Sequence, residues 1–123
     1  MQKTSVLLVG LKSSVVNFEK WPELSVEKLE AAFSDVHTNL IELGYEAKWC
    51  LTDTGETAEQ QLTTDLKEFT PDIVLVGAGV RIDPDHFLLF EKIINTIHAE
   101  APNAKIAFNS TPFDSVEAVK RWV

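Results

Sequence analysis

Two stretches of this chain, SVLLVGL (5–11) and DIVLVGA (72–78), are apolar at almost every position and too short to make good helices. Successive side chains of a strand point to opposite faces of its sheet, so an unbroken apolar run marks a strand that shows water neither face. Both runs are rich in β-branched residues and end in a polar or glycine turn, and each predicts such a strand. A sheet with two strands of this kind must carry helices on both sides, which narrows the fold to a layered α/β structure.

The intervening segments supply the helices and two further strands. Val26, Leu29, Phe33, Val36, Leu40 and Leu43 recur at helical spacing, with Ser25 as N-cap and Gly44 as stop. YEAKWCLT (45–52) alternates, sending Tyr45, Ala47, Trp49 and Leu51 one way and Glu46, Lys48 and Cys50 the other, which predicts a half-exposed strand. A second helix is expected from about Thr57, where Thr57 and Gln60 have capping-box spacing and Leu62, Leu66 and Phe69 make its stripe. Asp83-Pro84 starts a third helix with a face of Phe87, Phe90, Ile94, Ile97 and Ala101, widened by Leu88, Leu89 and Ile93. Pro102 must end it. AKIAFNS (104–110) alternates as a fourth strand, and DSVEAVKRWV closes as a short helix with Asp114 and Glu117 spaced for another capping box.

Strands separated by helices form parallel βαβ units. The continuously apolar first and third strands belong in the centre, the alternating second and fourth at the edges. Right-handed crossovers then give the order 2-1-3-4, a three-layer, doubly wound, flavodoxin-like or Rossmann-like sheet in one α/β domain over residues 1–123.

A chain of 123 residues can bury a core without metals or disulfides. Its net charge of −8 argues against nucleic acid and against an anionic membrane surface. No apolar run approaches the roughly 18 residues of a membrane span. The apolar part of MQKTSVLLVGLKSS is shorter than a signal peptide's and no small-residue cleavage site follows, so a buried first strand is expected there. The single cysteine, Cys50, excludes an intrachain disulfide and favours a reducing, cytoplasmic setting.

Ligands of open α/β sheets bind beyond the carboxyl ends of the strands, where the strand order reverses. Here that point lies between the first and third strands. The loops opening there are Gly10-Leu11-Lys12-Ser13-Ser14, Gly77-Ala78-Gly79-Val80-Arg81 and Asn109-Ser110-Thr111. The candidate ligand-binding residues are therefore Lys12, Ser13, Ser14, Gly77, Gly79, Arg81, Asn109, Ser110 and Thr111. Two basic side chains, several hydroxyls and nearby helix N-termini point to a small anion, a phosphate or carboxylate. The alternative is that Lys12 and Arg81 are solvated and the polar residues satisfy strand ends. The loop KSSVVNFEKWPEL (12–24) is far longer than the usual two to six residues. Its Val15, Val16, Phe18, Trp21 and Leu24 need cover, which makes it a lid, a plug or an interface.

Several chemistries are absent. Gly77 and Gly79 follow the third strand rather than the first, and Ile82 occupies the third glycine position, so no dinucleotide fingerprint is present. No phosphate-binding GxxxxGK[ST] loop occurs, and no acid ends the first or third strand to accept a phosphoryl group. His86 with Asp83 and Asp85 is the densest group of metal-ligand types, but all three lie in a helix's first turn, where acids are expected as caps. Neither a metal nor a cofactor is expected, Cys50 reads as a buried or idle thiol, and no catalytic residue is assigned.

The segment PDIVLVGAGVRIDPDHFLLFEKIINTIHAEAPNAKIAFNSTP (71–112) resembles the central strand–helix–strand of SGNH-type esterases and lipases. That family's first strand ends in Gly-Asp-Ser with a serine nucleophile; Gly10-Leu11-Lys12 stands there in this chain. Its catalytic asparagine position holds Arg81, and the family's late Asp-x-x-His segment is missing. The resemblance implies at most a degenerate hydrolase. The run from VGAGVR to AVKRW, with the LGY and TDTGETAE segments before it, is also similar to a group of small, uncharacterised single-domain bacterial proteins. It implies a stand-alone domain and no particular substrate. Three readings stand: a binding domain for an anionic small molecule, a self-associating scaffold or homodimer built on the apolar third helix and the open edge of the fourth strand, and a degenerate SGNH-like hydrolase. Whether the chain is an enzyme stays open among them.

Overall fold

In the computed structural model, which describes residues 3–16, 18–19 and 22–123, β1 (Ser5–Leu11) is buried at all seven positions. It pairs in parallel with β2 (Glu46–Thr52) on one side and β3 (Ile73–Val76) on the other, and β4 (Lys105–Phe108) pairs in parallel with β3. The order is β2-β1-β3-β4, the doubly wound arrangement expected. The helices are α1 (Val26–Glu42), α2 (Ala58–Glu68), a single turn α3 (Ala78–Arg81), α4 (Phe87–Glu100) and α5 (Ser115–Lys120). Trp21 of the long first loop lies outside the described residues.

The alternation of β1 side chains sorts the core into two layers. Leu7, Val9 and Leu11 join Val74 and Val76 beneath α2 and α4, where Leu62, Leu66, Leu89, Ile93 and Ile97 close over them. On the opposite face Val6, Leu8, Ile73 and Leu75 meet Val36 and Leu40 of α1 and Ala118 and Val119 of α5. Burying one such Leu, Ile or Val contributes about 1.5–3 kcal/mol, so these layers outweigh any single cap or ion pair.

Edge strand β2 is partly exposed, as expected, with Cys50 and Thr52 its buried residues. Ala47 and Trp49 pack with the α1 layer, while Cys50 is buried in the α2 layer. Burial pushes the Cys50 thiol far up from its ordinary pKa, and Asp65 beside it pushes the same way, so it rests as an inert thiol. Lys48 stays at the rim, with its Nζ 3.5 Å from Asp65 Oδ1.

α4 buries Leu89, Ile93 and Ile97, and Phe90 and Ile94 pack partly against the core. Phe87 and Leu88 remain exposed, at 63% and 69%. The apolar surplus of this helix is therefore confined to its first turn. Among the described residues no helix is long and apolar enough to cross a membrane.

Helix boundaries follow the capping chemistry, with two shifts. Ser25 accepts a hydrogen bond from Lys28 N at 3.2 Å, and Gly44 leaves α1 at φ +95°. α2 does not use the expected Thr57–Gln60 box. Instead Asp53 reaches in from the turn before it, accepting from Gly55 N at 3.0 Å, Thr57 N at 3.1 Å and Thr57 Oγ1 at 2.6 Å. An aspartate can serve amides two and four residues on, so it displaces the threonine. The last capping box forms one turn early, between Thr111 and Asp114, on a 3-10 turn (Pro112–Asp114) that leads into α5.

The hydroxyl of Thr57, followed by the amides of Gly55 and Thr57, holds the Asp53 carboxyl down from 3.8 to about 2. A carboxylate with a depressed folded-state pKa stabilises the fold above its unfolded pKa, and that contribution disappears as pH falls through the folded value. Asp53→Ala should therefore be less stable than the parent at pH 7 and show a shallower loss of stability from pH 3.8 down to about 2. Urea denaturation across that range tests this; parallel curves for the two proteins would exclude Asp53 as the linked group.

Candidate functional site

The carboxyl ends of β1 and β3 meet across a close backbone contact. Gly77 N donates to Val9 O at 2.8 Å, and a Cβ at Gly77 would sit 3.2 Å from the same oxygen. Immediately after this contact the chain turns into α3, which carries Ala78 and Gly79 outward. On the other side Gly10 makes room for an indole: its absent Cβ would lie 3.3 Å from the Trp49 ring. Trp49 is held there by its Nε1, which donates to Phe33 O at 3.0 Å, and its ring lies 4.5 Å from that of Phe33.

Between these walls lies a cavity of about 260 Å³. Leu11, Leu29, Phe33 and Trp49 form its inner side, from β1, α1 and β2. Val16, Glu23 and Leu24 of the long first loop close one flank. Gly77, Ala78 and Gly79 form another, and Ser110, Thr111 and Phe113 stand at the mouth, where Phe113 is exposed. Asp83 and His86 complete the lining from the 3-10 turn (Pro84–His86) that precedes α4. Asp83 caps that turn, accepting from Asp85 N at 2.9 Å. His86 Nε2 stands 3.7 Å from Asp83 Oδ2, near enough for charge attraction but too long for a hydrogen bond.

The nine residues expected at the crevice divide. Gly77, Gly79, Asn109, Ser110 and Thr111 line the cavity, whereas Lys12, Ser13, Ser14 and Arg81 are not among its described lining residues. Lys12 lies near Asp53 and adds its positive charge to the groups that hold that carboxyl down. Ser13 Oγ donates to Glu30 Oε2 at 3.3 Å, and Ser14 is exposed on the 3-10 turn (Ser13–Val15). Arg81 folds back along the sheet: its Nη2 donates to Asn109 O at 2.7 Å and its guanidinium lies 5.6 Å from the centre of the Phe108 ring. Its Nε is buried without a hydrogen-bond partner among the described residues.

Asn109 is a tie between elements more than a ligand-facing amide. Its Oδ1 accepts from Ala78 N at 2.7 Å, and its Nδ2 donates to Ser115 Oγ at 2.9 Å, so it pins α3 and α5 to the end of β4. Asp114 in turn accepts from Ser110 N and Thr111 N at 3.0 and 3.1 Å, which fixes the mouth loop. Phe33, Trp49, Leu29, Phe113, Glu23 and the Asp83–His86 couple are cavity residues outside the expected set. The one advance sign of them was the uncovered apolar side chains of the 12–24 loop, two of which, Val16 and Leu24, do line the cavity. Among the described residues no three His, Cys, Asp or Glu side chains are grouped so as to hold a metal ion.

No protein-family model matches the chain, and no curated protein matches its sequence.

Removing the Asn109 amide would leave the buried Ala78 N–H without its acceptor and take one donor from the Ser115 hydroxyl. Asn109→Ala should therefore cost about 1–3 kcal/mol of folding stability, with Asn109→Asp intermediate because its oxygen still accepts from Ala78 N. Chemical denaturation measures this, and an Asn109→Ala protein as stable as the parent would remove the residue from its structural role.

Proposed function

We propose that this chain is a small-molecule binding domain whose ligand lies in the cavity at the reversal of strand order and has a compact, largely apolar body. The supporting observation is the lining: a 260 Å³ space walled by Leu11, Leu24, Leu29, Phe33 and Trp49, at the place where α/β sheets take ligands. Water in such a space finds few partners, so its displacement by an apolar group is favourable. An apolar cavity of about 150 Å³ holds benzene, which sizes the ligand here as one ring with a short chain. The polar groups of the strand ends do not alter this, because Asn109 and Arg81 are already engaged by the protein. The unpaired thiol of Cys50 suits a reducing compartment, and we assign the protein to the cytoplasm on that ground.

Gly79 offers the means of testing the site. It lines the cavity, has no positive φ, and a Cβ built there meets nothing within 4 Å. Indole or propylbenzene at about one hundred times its Kd should stabilise the parent by about 2.7 kcal/mol, a rise of several degrees in Tm. Gly79→Leu should fold normally and lose most of that rise, whereas Gly79→Ala should keep it. A rise unaffected by Gly79→Leu would place the ligand elsewhere.

A second reading, a homodimer, is favoured by the exposed Ile82, Phe87 and Leu88 near the start of α4. Light scattering of the parent and of Phe87→Ser/Leu88→Ser decides it. A parent that is monomeric at high concentration would exclude this reading.

A further inference from the structure

Resting on that binding reading, we propose that the body of the ligand is a flat aromatic ring, seated against the Phe33–Trp49 pair and covered at the mouth by Phe113. The inner pair is in place before any ligand arrives. The Trp49 ring lies 4.5 Å from that of Phe33 at an interplanar angle of 42°, and its Nε1 donates to Phe33 O at 3.0 Å. Gly10 leaves room for the indole, since a Cβ there would come within 3.3 Å of it. Phe33 and Trp49 thus present fixed ring surface to the cavity that both line.

Phe113 is the opposite case, with a fixed backbone and an uncovered ring. Its 3-10 turn packs on α1, the helix that supplies Leu29 and Phe33 to the wall. Phe113 N donates to Thr111 Oγ1 at 3.1 Å, and Asp114 holds the amides of Ser110 and Thr111 beside it. Phe113 nevertheless remains 75% exposed. Among the described residues it is the one exposed large apolar residue that also lines the cavity. Folding gains little from a ring so placed, whereas a guest in the cavity would bury it. Rings also select by more than area: aromatic pairs gain about 0.5–1.5 kcal/mol beyond the burial of their surface. A saturated ring of equal carbon number has more apolar surface but no ring face, and its puckered frame is thicker. On area alone it would bind at least as well as the flat ring. With aromatic residues at the inner wall and at the mouth, the flat ring binds tighter. The two expectations have opposite sign.

Two neutral alcohols, 2-phenylethanol and 2-cyclohexylethanol, differ only in that respect. Calorimetric titration of the parent should find the phenyl alcohol about threefold to tenfold tighter. Phe113→Leu keeps an apolar group at the mouth and, at so exposed a position, should melt as the parent does without ligand. It should weaken the phenyl alcohol about threefold and leave the cyclohexyl alcohol within about twofold of its parent affinity. Phe113→Tyr, which keeps the ring, should retain the parent's preference. Gly79→Leu should lose most of the binding of both alcohols. Equal binding of the two by the parent, or tighter binding of the saturated ring, would overturn the aromatic assignment and leave the cavity reading standing. A phenyl preference untouched by Phe113→Leu would overturn the covering role of Phe113. Binding of both alcohols that survives Gly79→Leu, or failure of both to bind the parent, would overturn the cavity reading together with this one.

Discussion

All seven residues of β1 are buried, and the rest of the molecule follows from that constraint. A strand with no solvent face needs a neighbour on each edge and a helix layer on each side. Right-handed crossovers can meet this demand only if the chain leaves β1 in one direction, returns past it, and continues in the other. α1 and α5 then fall on one face and α2 and α4 on the other, as the two core layers show. The return past β1 creates the reversal of strand order, and with it a place where two loops part above adjacent strand ends. The cavity is thus a geometric by-product of covering β1, which the sequence of its lining has then furnished.

What furnishes it is a division of labour among the polar groups around it. Thr52 Oγ1 donates to Gly10 O at 3.3 Å, Asn109 joins α3 to α5, Arg81 holds Asn109 O, and Asp114 gathers the amides of the mouth loop. Each of these satisfies a strand end or a helix start, where backbone groups would otherwise be left unpaired. With those demands met internally, hydrocarbon and ring surfaces are free to form the wall. Among the described residues the ionisable groups of the wall are Glu23, Asp83 and His86, with His86 beside Asp83.

The sheet was legible in the sequence because burial on both faces leaves an unbroken apolar run, whose shortness and β-branched residues set it apart from a buried helix. The order 2-1-3-4 followed from the same texture, as did the Ser25 cap, the Gly44 stop and the Asp83-Pro84 helix start. The departures have two physical origins. Caps compete over a few residues: Asp53 can serve amides at 55 and 57, so the choice between it and Thr57 depends on turn geometry that residue types alone do not express. Long side chains separate the backbone position from the charge. Lys12 and Arg81 do follow the ends of β1 and β3, but several freely rotating bonds carry their charged groups away, to Asp53 and to Asn109 O. Trp49 was placed on the correct face of β2 by alternation. That its ring would roof the end of β1 depended on the absent Cβ of Gly10 and on Phe33, a helix away in sequence.

Gly77 and Gly79 stand two residues apart and have opposite explanations. At Gly77 a side chain would press on Val9 O, a backbone atom in the middle of the sheet that cannot retreat, so the fold itself demands glycine. At Gly79 neither a neighbour nor a backbone angle makes that demand. In a helical turn, alanine would stabilise such a position by about 0.4–1 kcal/mol, because glycine leaves the unfolded chain more freedom to lose. What lies beside Gly79 is the cavity that it lines. The same logic connects binding to folding. A larger side chain there would stiffen α3 while taking up part of the cavity that Gly79 lines. Stability and open volume therefore pull on Gly79 in opposite directions.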